Sequence, residues 1–130
     1  MEPPFLGLDE VLEIHRDQIE RYGGRKGLRD LGLLQSAIGM AWAGAGGRYF
    51  HADPFEMAAA YLFHIVRDHP FVDGNKRVGA AAAELFIMLN DSVLDATDSE
   101  MEETTLAVAR GEMDVEPLTI WFRQRLVRRD

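Results

Sequence analysis

HPFVDGNKRVGAAAA, residues 69–83, is the stretch on which the fold of this chain turns. Within nine positions it sets a histidine, an acid, a glycine, a carboxamide and two cations, and it runs directly into small apolar residues. His69 precedes Pro70, and a residue before proline is pushed out of the α region, so a helix arriving from the amino side ends at about Asp68. A second helix starts near Asn75 and continues to Leu89, apolar nearly all round as expected of a central buried helix. The polar cluster therefore occupies a tight loop between two helices.

The arriving helix has a clear start in DPFE. Asp53 is placed to cap it, Pro54 suits its first position and Glu56 stands where a capping box closes. Upstream, Leu8, Val11, Leu12, His15, Ile19 and Tyr22 form one helical stripe, stopped by Gly23 and Gly24. Leu34, Ala37, Ile38, Ala41 and Trp42 form another, capped at Asp30 and closed by the Gly44–Gly47 loop. Downstream, Val93 and Leu94 suit a brief extended piece, and TDSE at 97–100 opens a helix that Gly111 ends. A final helix begins at about Val115 with Leu118, Trp121, Phe122 and Leu126 inward. No β alternation is sustained and no linker divides the chain. The expectation is one domain over residues 1–130: an all-α, single compact bundle of about six helices, with the motif loop between two central helices.

Composition narrows the function. A chain of 130 residues can bury a full core without disulfide or metal, and the absence of Cys excludes a thiolate site or a cysteine nucleophile. No signal peptide and no membrane-length apolar run is present, which suits a cytoplasmic protein with no membrane partner. With 22 acidic against 14 basic residues the net charge is −8, which repels polyanions, so no direct nucleic-acid partner is expected. Arg123, Arg125, Arg128 and Arg129 close the chain where cations favour a helix carboxyl end.

The loop has the parts of an anion site. A helix amino end presents unpaired amides and partial positive charge, and Gly74 permits close approach or a positive φ. Lys76 and Arg77 add a point charge and a planar fork in the first turn. Asp73 opposes such a guest unless it holds Mg²⁺, an ion often bound by one or two carboxylates plus substrate phosphates. His69 supplies a base suited to neutral pH. Each residue alone also has an ordinary reading as a cap or a solvated turn. Taken together those readings fare worse, because two cations in a first turn oppose the helix dipole and gain nothing structural without an anion. His64 and His69 diverge on one helix and make no metal-hydrolase motif. His15, His51 and the Trp and Met residues receive no chemistry.

This pattern resembles the Fic and Doc superfamily, whose Doc branch carries HxFxDGNKR. His69, Phe71, Asp73, Gly74, Asn75, Lys76 and Arg77 match every defined position. FLGLDEVLEIHRDQIERYGG at 5–24 and GLRDLGLLQSA at 27–37 extend the likeness over nearly the whole chain. ValGlyAla after Arg77 departs from the Thr or Ser usual there. The resemblance implies a toxin of a type II toxin–antitoxin pair, an ATP-dependent kinase that moves the γ-phosphate to a threonine of elongation factor Tu and halts translation. It implies His69 as base, Asp73 as Mg²⁺ ligand, and Gly74, Asn75, Lys76 and Arg77 as the nucleotide phosphate anchor, with ATP as substrate. Lys76, and Ala80 where AMP-transferring Fic proteins have a second Arg, favour phosphate transfer over the alternative of nucleotidyl transfer. A catalytically idle partner-binding module is the alternative from another class. No self-inhibitory [ST]xxxE[GN] segment occurs, the nearest being Ser99 with Glu103 before Thr104. Control by a Phd-like antitoxin is therefore implied.

Overall fold

The computed structural model describes residues 6–42 and 54–128. Helices α1 (Leu8–Tyr22), α2 (Leu31–Trp42), α3 (Pro54–Asp68), α4 (Asn75–Leu89), α5 (Asp98–Ala109) and α6 (Val115–Gln124) make up most of it. Strands β1 (Ser92–Leu94) and β2 (Leu126–Arg128) form a small antiparallel pair, Val93 opposite Val127. The all-α class and six helices are as expected. The Asp53 cap, the Gly44–Gly47 loop, His51 and Arg129 lie outside the described residues.

Helix α3 is the axis. It packs against α2, α4, α5 and α6, and Met57 to Leu62, Ile65 and Val66 are all buried. Its most extensive partner is α4, which also packs against α1. The α3–α4 crossing is set by small side chains. A Cβ on Gly79 would stand 2.8 Å from Val66 Cγ2 and 3.2 Å from the Leu62 carbonyl oxygen. The departure at ValGlyAla is therefore a packing device, since Val78 is fully buried and Gly79 lets α3 pass close by.

A second anchor joins the chain's start to α3. The Tyr61 hydroxyl accepts from Leu6 N at 2.9 Å and from Trp42 Nε1 at 2.8 Å, and donates to Leu6 O at 3.0 Å. Burial pushes that phenol up to about 12, although its hydrogen bonds pull the other way.

Helix ends follow their local chemistry. Asp30 Oδ1 accepts from Leu33 N at 3.0 Å, so the expected cap of α2 is present. Thr97 and Glu100 form the reciprocal capping box of α5, at 3.1 and 2.8 Å. Gly111, at φ +78, follows the last turn of that helix.

Four expectations need correction. Leu126 does not continue the last helix: α6 ends at Gln124, and 126–128 pair with β1, a strand pair too short to show alternation. Tyr22 closes the first stripe in sequence but is 67% exposed, its ring lying 5.9 Å beneath the Arg77 guanidinium. Trp42 keeps a third of its surface in solvent while its indole N–H reaches Tyr61. Helix α4 has an outer face, with Leu85, Met88 and Leu89 exposed, so the more deeply buried axis is α3 instead. Among the described residues, no helix is long and apolar enough to cross a membrane.

Gly79→Val forces a branched side chain into the α3 backbone. A loss of about 1–3 kcal/mol is expected from overpacking, read as a lower urea midpoint at unchanged slope.

Candidate active site

The motif loop begins where α3 runs out of partners. His69 N still bonds Ile65 O at 3.2 Å, but Pro70 has no N–H to continue the ladder. His69 itself adopts φ +54, the left-handed conformation that usually falls to glycine at a helix end. For a side-chain-bearing residue this costs about 1–2 kcal/mol. The loop is then pinned from inside. Asn75, buried, accepts Phe71 N at its Oδ1 and donates its Nδ2 to Phe71 O, both at 2.9 Å. Its carboxamide is thus engaged in shaping the loop, and its backbone amide is what remains to meet an anion. Gly74, at φ +82, forms the N-cap of α4.

The loop is also strapped from outside by the residues that follow α1. Leu28 and Phe71 form an antiparallel bridge. Val72 N donates to Gly27 O at 3.0 Å, and Arg29 N and Asp30 N donate to Pro70 O at 2.7 and 3.0 Å. The Arg29 guanidinium reaches further back, Nε to His69 O at 2.7 Å and Nη2 to Asp68 O at 3.0 Å. The Arg29–Asp30 pair is therefore divided: Arg29 holds the end of α3 while Asp30 caps α2.

Asp73 sits at the centre of this strap. Its Oδ2 accepts from Arg25 N at 3.0 Å and its Oδ1 from Gly74 N at 2.8 Å. These amide bonds, with the nearby Arg77 and Arg25 charges adding less, hold its carboxyl below the ordinary range. It stays ionised, and each oxygen keeps lone-pair capacity beyond its one amide donor. Behind it, His15 is buried, stacked on Phe71 with centroids 3.9 Å apart, and its Nε2 donates to Asp73 O at 3.0 Å. Sequence reading gave His15 no chemistry. Its signal was a polar ring inside an apolar helical stripe.

The two cations divide their tasks. Arg77 donates from Nη1 to Gln18 O at 3.2 Å and from Nη2 to Gly23 O at 2.9 Å, closing the carboxyl end of α1. The expectation that neither cation gains anything structurally without an anion is corrected for Arg77. Lys76 fits it: the side chain is exposed and has no hydrogen bond or ion pair among the described residues. The first ladder bond of α4 runs from Val78 N to Gly74 O, so the amides of Asn75, Lys76 and Arg77 have no acceptor within the helix. Unpaired amides, the dipole and one uncommitted ammonium meet at this point. His69, which ends α3, and Asp73 belong to the same short loop.

A groove of about 500 Å³ opens beside this end of α4, between α1, α4 and α5. Lys76 and Arg77 stand on its wall, followed by Ala80, Ala81, Met101 and Leu106, with Glu84 and Asp98 farther along. Desolvation raises the Glu84 carboxyl, and Asp98 adds to the effect.

Residues 5–87, which span both the strap and the motif loop, match the model of the Fic/DOC family. The chain belongs to the Fic/DOC family. It is 33% identical over 117 residues to the Protein kinase doc of Escherichia phage P1, covering 89% of this chain and 90% of that protein. It is 39% identical over 75 residues to the Toxin Doc of Mycolicibacterium smegmatis, covering 58% of each. The likeness to the phage protein thus extends over nearly the whole of both chains.

Gly24 carries the tightest point of the strap. At φ +117, a Cβ there would lie 2.8 Å from Asp73 Oδ2 and 3.0 Å from Arg77 Nη2. Gly24→Ala is expected to cost about 1–3 kcal/mol through backbone strain alone, measured by urea unfolding.

Asp73 also sets a pH dependence. A depressed folded pKa stabilises the fold above the ordinary value of 3.8, and that contribution fades as pH falls through the lower folded value. Wild type should therefore lose its stability advantage over Asp73→Asn as pH drops below 3.8, while the advantage is constant above it. Paired urea titrations at stepped pH read the difference.

Proposed function

We propose that this chain is the toxin of a toxin–antitoxin pair and acts in the cytoplasm as a protein kinase, transferring the γ-phosphate of ATP to a threonine hydroxyl of elongation factor Tu. The observation that carries this reading is Lys76: an uncommitted cation in the first turn of α4, beside amides that have no acceptor in the helix. Such a place suits a terminal phosphate, whose charge spreads over several oxygens in the transition state. The similarity to a protein named as a kinase supports it.

In this reading Gly74 opens the turn, and the amides of Asn75, Lys76 and Arg77 with the Lys76 ammonium hold the phosphates. Arg77 also fixes the amino end of α4 to α1. Asp73 fits a Mg²⁺ ligand of the kind that supplies one carboxylate and leaves the rest of the shell to substrate phosphates, since its carboxyl is held ionised and each oxygen keeps lone-pair capacity beyond one amide donor. Bound there, the ion would neutralise phosphate charge. His69 takes the proton from the attacking hydroxyl as its oxygen bonds to the γ-phosphorus and the bond to the β-phosphate oxygen breaks. The products are a phosphoprotein and ADP.

A Phd-like antitoxin completes the reading. The groove between α1, α4 and α5 supports it, because its apolar floor suits a segment that folds on binding and its Glu84 and Asp98 rim suits cations on that segment.

ATP labelled separately at the α and γ positions tests the reaction, with Mg²⁺ and elongation factor Tu present. Only the γ label is expected on the factor, and transfer of the α label would establish AMP transfer instead. His69→Ala should slow transfer roughly 10²–10⁴-fold with little change in ATP affinity, whereas Lys76→Ala should weaken both. If neither label reaches the factor, the kinase assignment to that target fails. Growth inhibition that survives His69→Ala would favour an idle binding module.

A further inference from the structure

We infer that Arg29 is a positioning residue for the phosphotransfer, one that fixes the backbone of His69 and so aims its imidazole; this rests on His69 acting as the base in the function proposed above. Residue 29 grips three consecutive carbonyls. Its guanidinium takes Asp68 O at 3.0 Å and His69 O at 2.7 Å, and its own amide takes Pro70 O at 2.7 Å. The first two belong to the peptide planes on either side of the His69 Cα. Planar peptides leave only φ and ψ to vary, so holding both planes fixes both torsions and with them the direction of the Cα–Cβ bond.

The direction is not one the chain adopts unaided. His69 stands at φ +54, where glycine would sit without strain. A helix end made only for stability would place glycine there. Strain of this kind persists where neighbouring structure over-determines it, and the fork of Arg29 does so. A lysine cannot replace it, because an ammonium is a single point charge and lacks the planar fork that spans two acceptors. Among the described residues the guanidinium hydrogen-bonds main-chain oxygens only, so its effect on chemistry passes through His69.

Four chains test this: Arg29→Ala, Arg29→Lys, His69→Ala and the Arg29→Ala/His69→Ala double variant, each assayed for γ-phosphate transfer to elongation factor Tu and for ATP binding by calorimetry. Arg29→Ala is expected to lower kcat by about 10²-fold, the scale of a displaced catalytic group, with ATP affinity unchanged. Arg29→Lys should remain folded and recover only part of the rate. The double variant should be no slower than His69→Ala. A wild-type kcat in Arg29→Ala, or a double variant slower than His69→Ala by the full factor lost on removing Arg29, overturns the inference. Carbon chemical shifts of His69 supply a readout independent of turnover. They should move out of the left-handed range in Arg29→Ala, and unchanged shifts overturn the inference as well. Should His69→Ala itself transfer phosphate at the wild-type rate, the assignment of His69 as base fails, and the shifts still decide whether Arg29 sets its backbone.

Discussion

The antiparallel contact between residues 23–30 and the motif loop is the constraint on which the site depends. A loop that crosses from one core helix to the next carries amides and carbonyls that must find partners or incur the cost of desolvation. Here Gly27, Arg29 and Asp30 serve Val72 and Pro70 through the main chain, while Arg25 serves Asp73. The loop therefore takes its hydrogen-bond partners from the segment that follows α1. Arg77 returns the dependence, since its guanidinium closes the carboxyl end of the same helix. Strap and loop stabilise each other, and neither has a complete set of hydrogen bonds alone.

That reciprocity bears on how a chain of net charge −8 would keep the local anion site proposed for it. The overall field disfavours anions, so attraction has to come from short-range groups that solvent screening does not erase. Helix amides and one ammonium qualify, and they are held on a helix whose start is fixed at four places: Asp73 on the Gly74 amide, Asn75 on Phe71, and Arg77 on Gln18 and on Gly23. Arg77 bonds α1, whereas Lys76 bonds nothing described, so the nominal pair of cations is functionally one anchor and one free charge.

Much of this was legible in the sequence because the signals were local. Pro70 marked the end of α3 and Thr97 with Glu100 the start of α5, since each acts within one turn of its own position. The motif named the loop residues for the same reason. What stayed hidden joins residues far apart in the chain. His15 lies 58 residues from Asp73, Arg29 lies 40 from His69, and Arg77 lies 59 from Gln18. Helical spacing showed that His15 faces inward but could not say what it faces. The extended piece at Val93 and Leu94 was legible as β1, but its partner β2 was missed, because a three-residue strand carries too few positions to distinguish it from a helix end.

The alanine run after the motif has two faces, and their separation ties the core to the site. Val78, Gly79, Ala82 and Ala83 are buried, with Gly79 set closest to α3, whereas Ala80 and Ala81 line the groove that starts at Lys76. Small side chains on the first face let α4 approach α3 closely, so the amino end of α4 is anchored by the most extensive helix pair in the fold. Small side chains on the second keep the wall beside the cations low. In the kinase reading proposed above, a site built on a helix fixed in this way needs little reorganisation when charge develops on a bound phosphate, which is the condition under which amides and a lone ammonium are most effective. Within the motif loop, the left-handed backbone of a non-glycine residue falls on His69, where a side chain with acid–base chemistry replaces the glycine that geometry alone would favour.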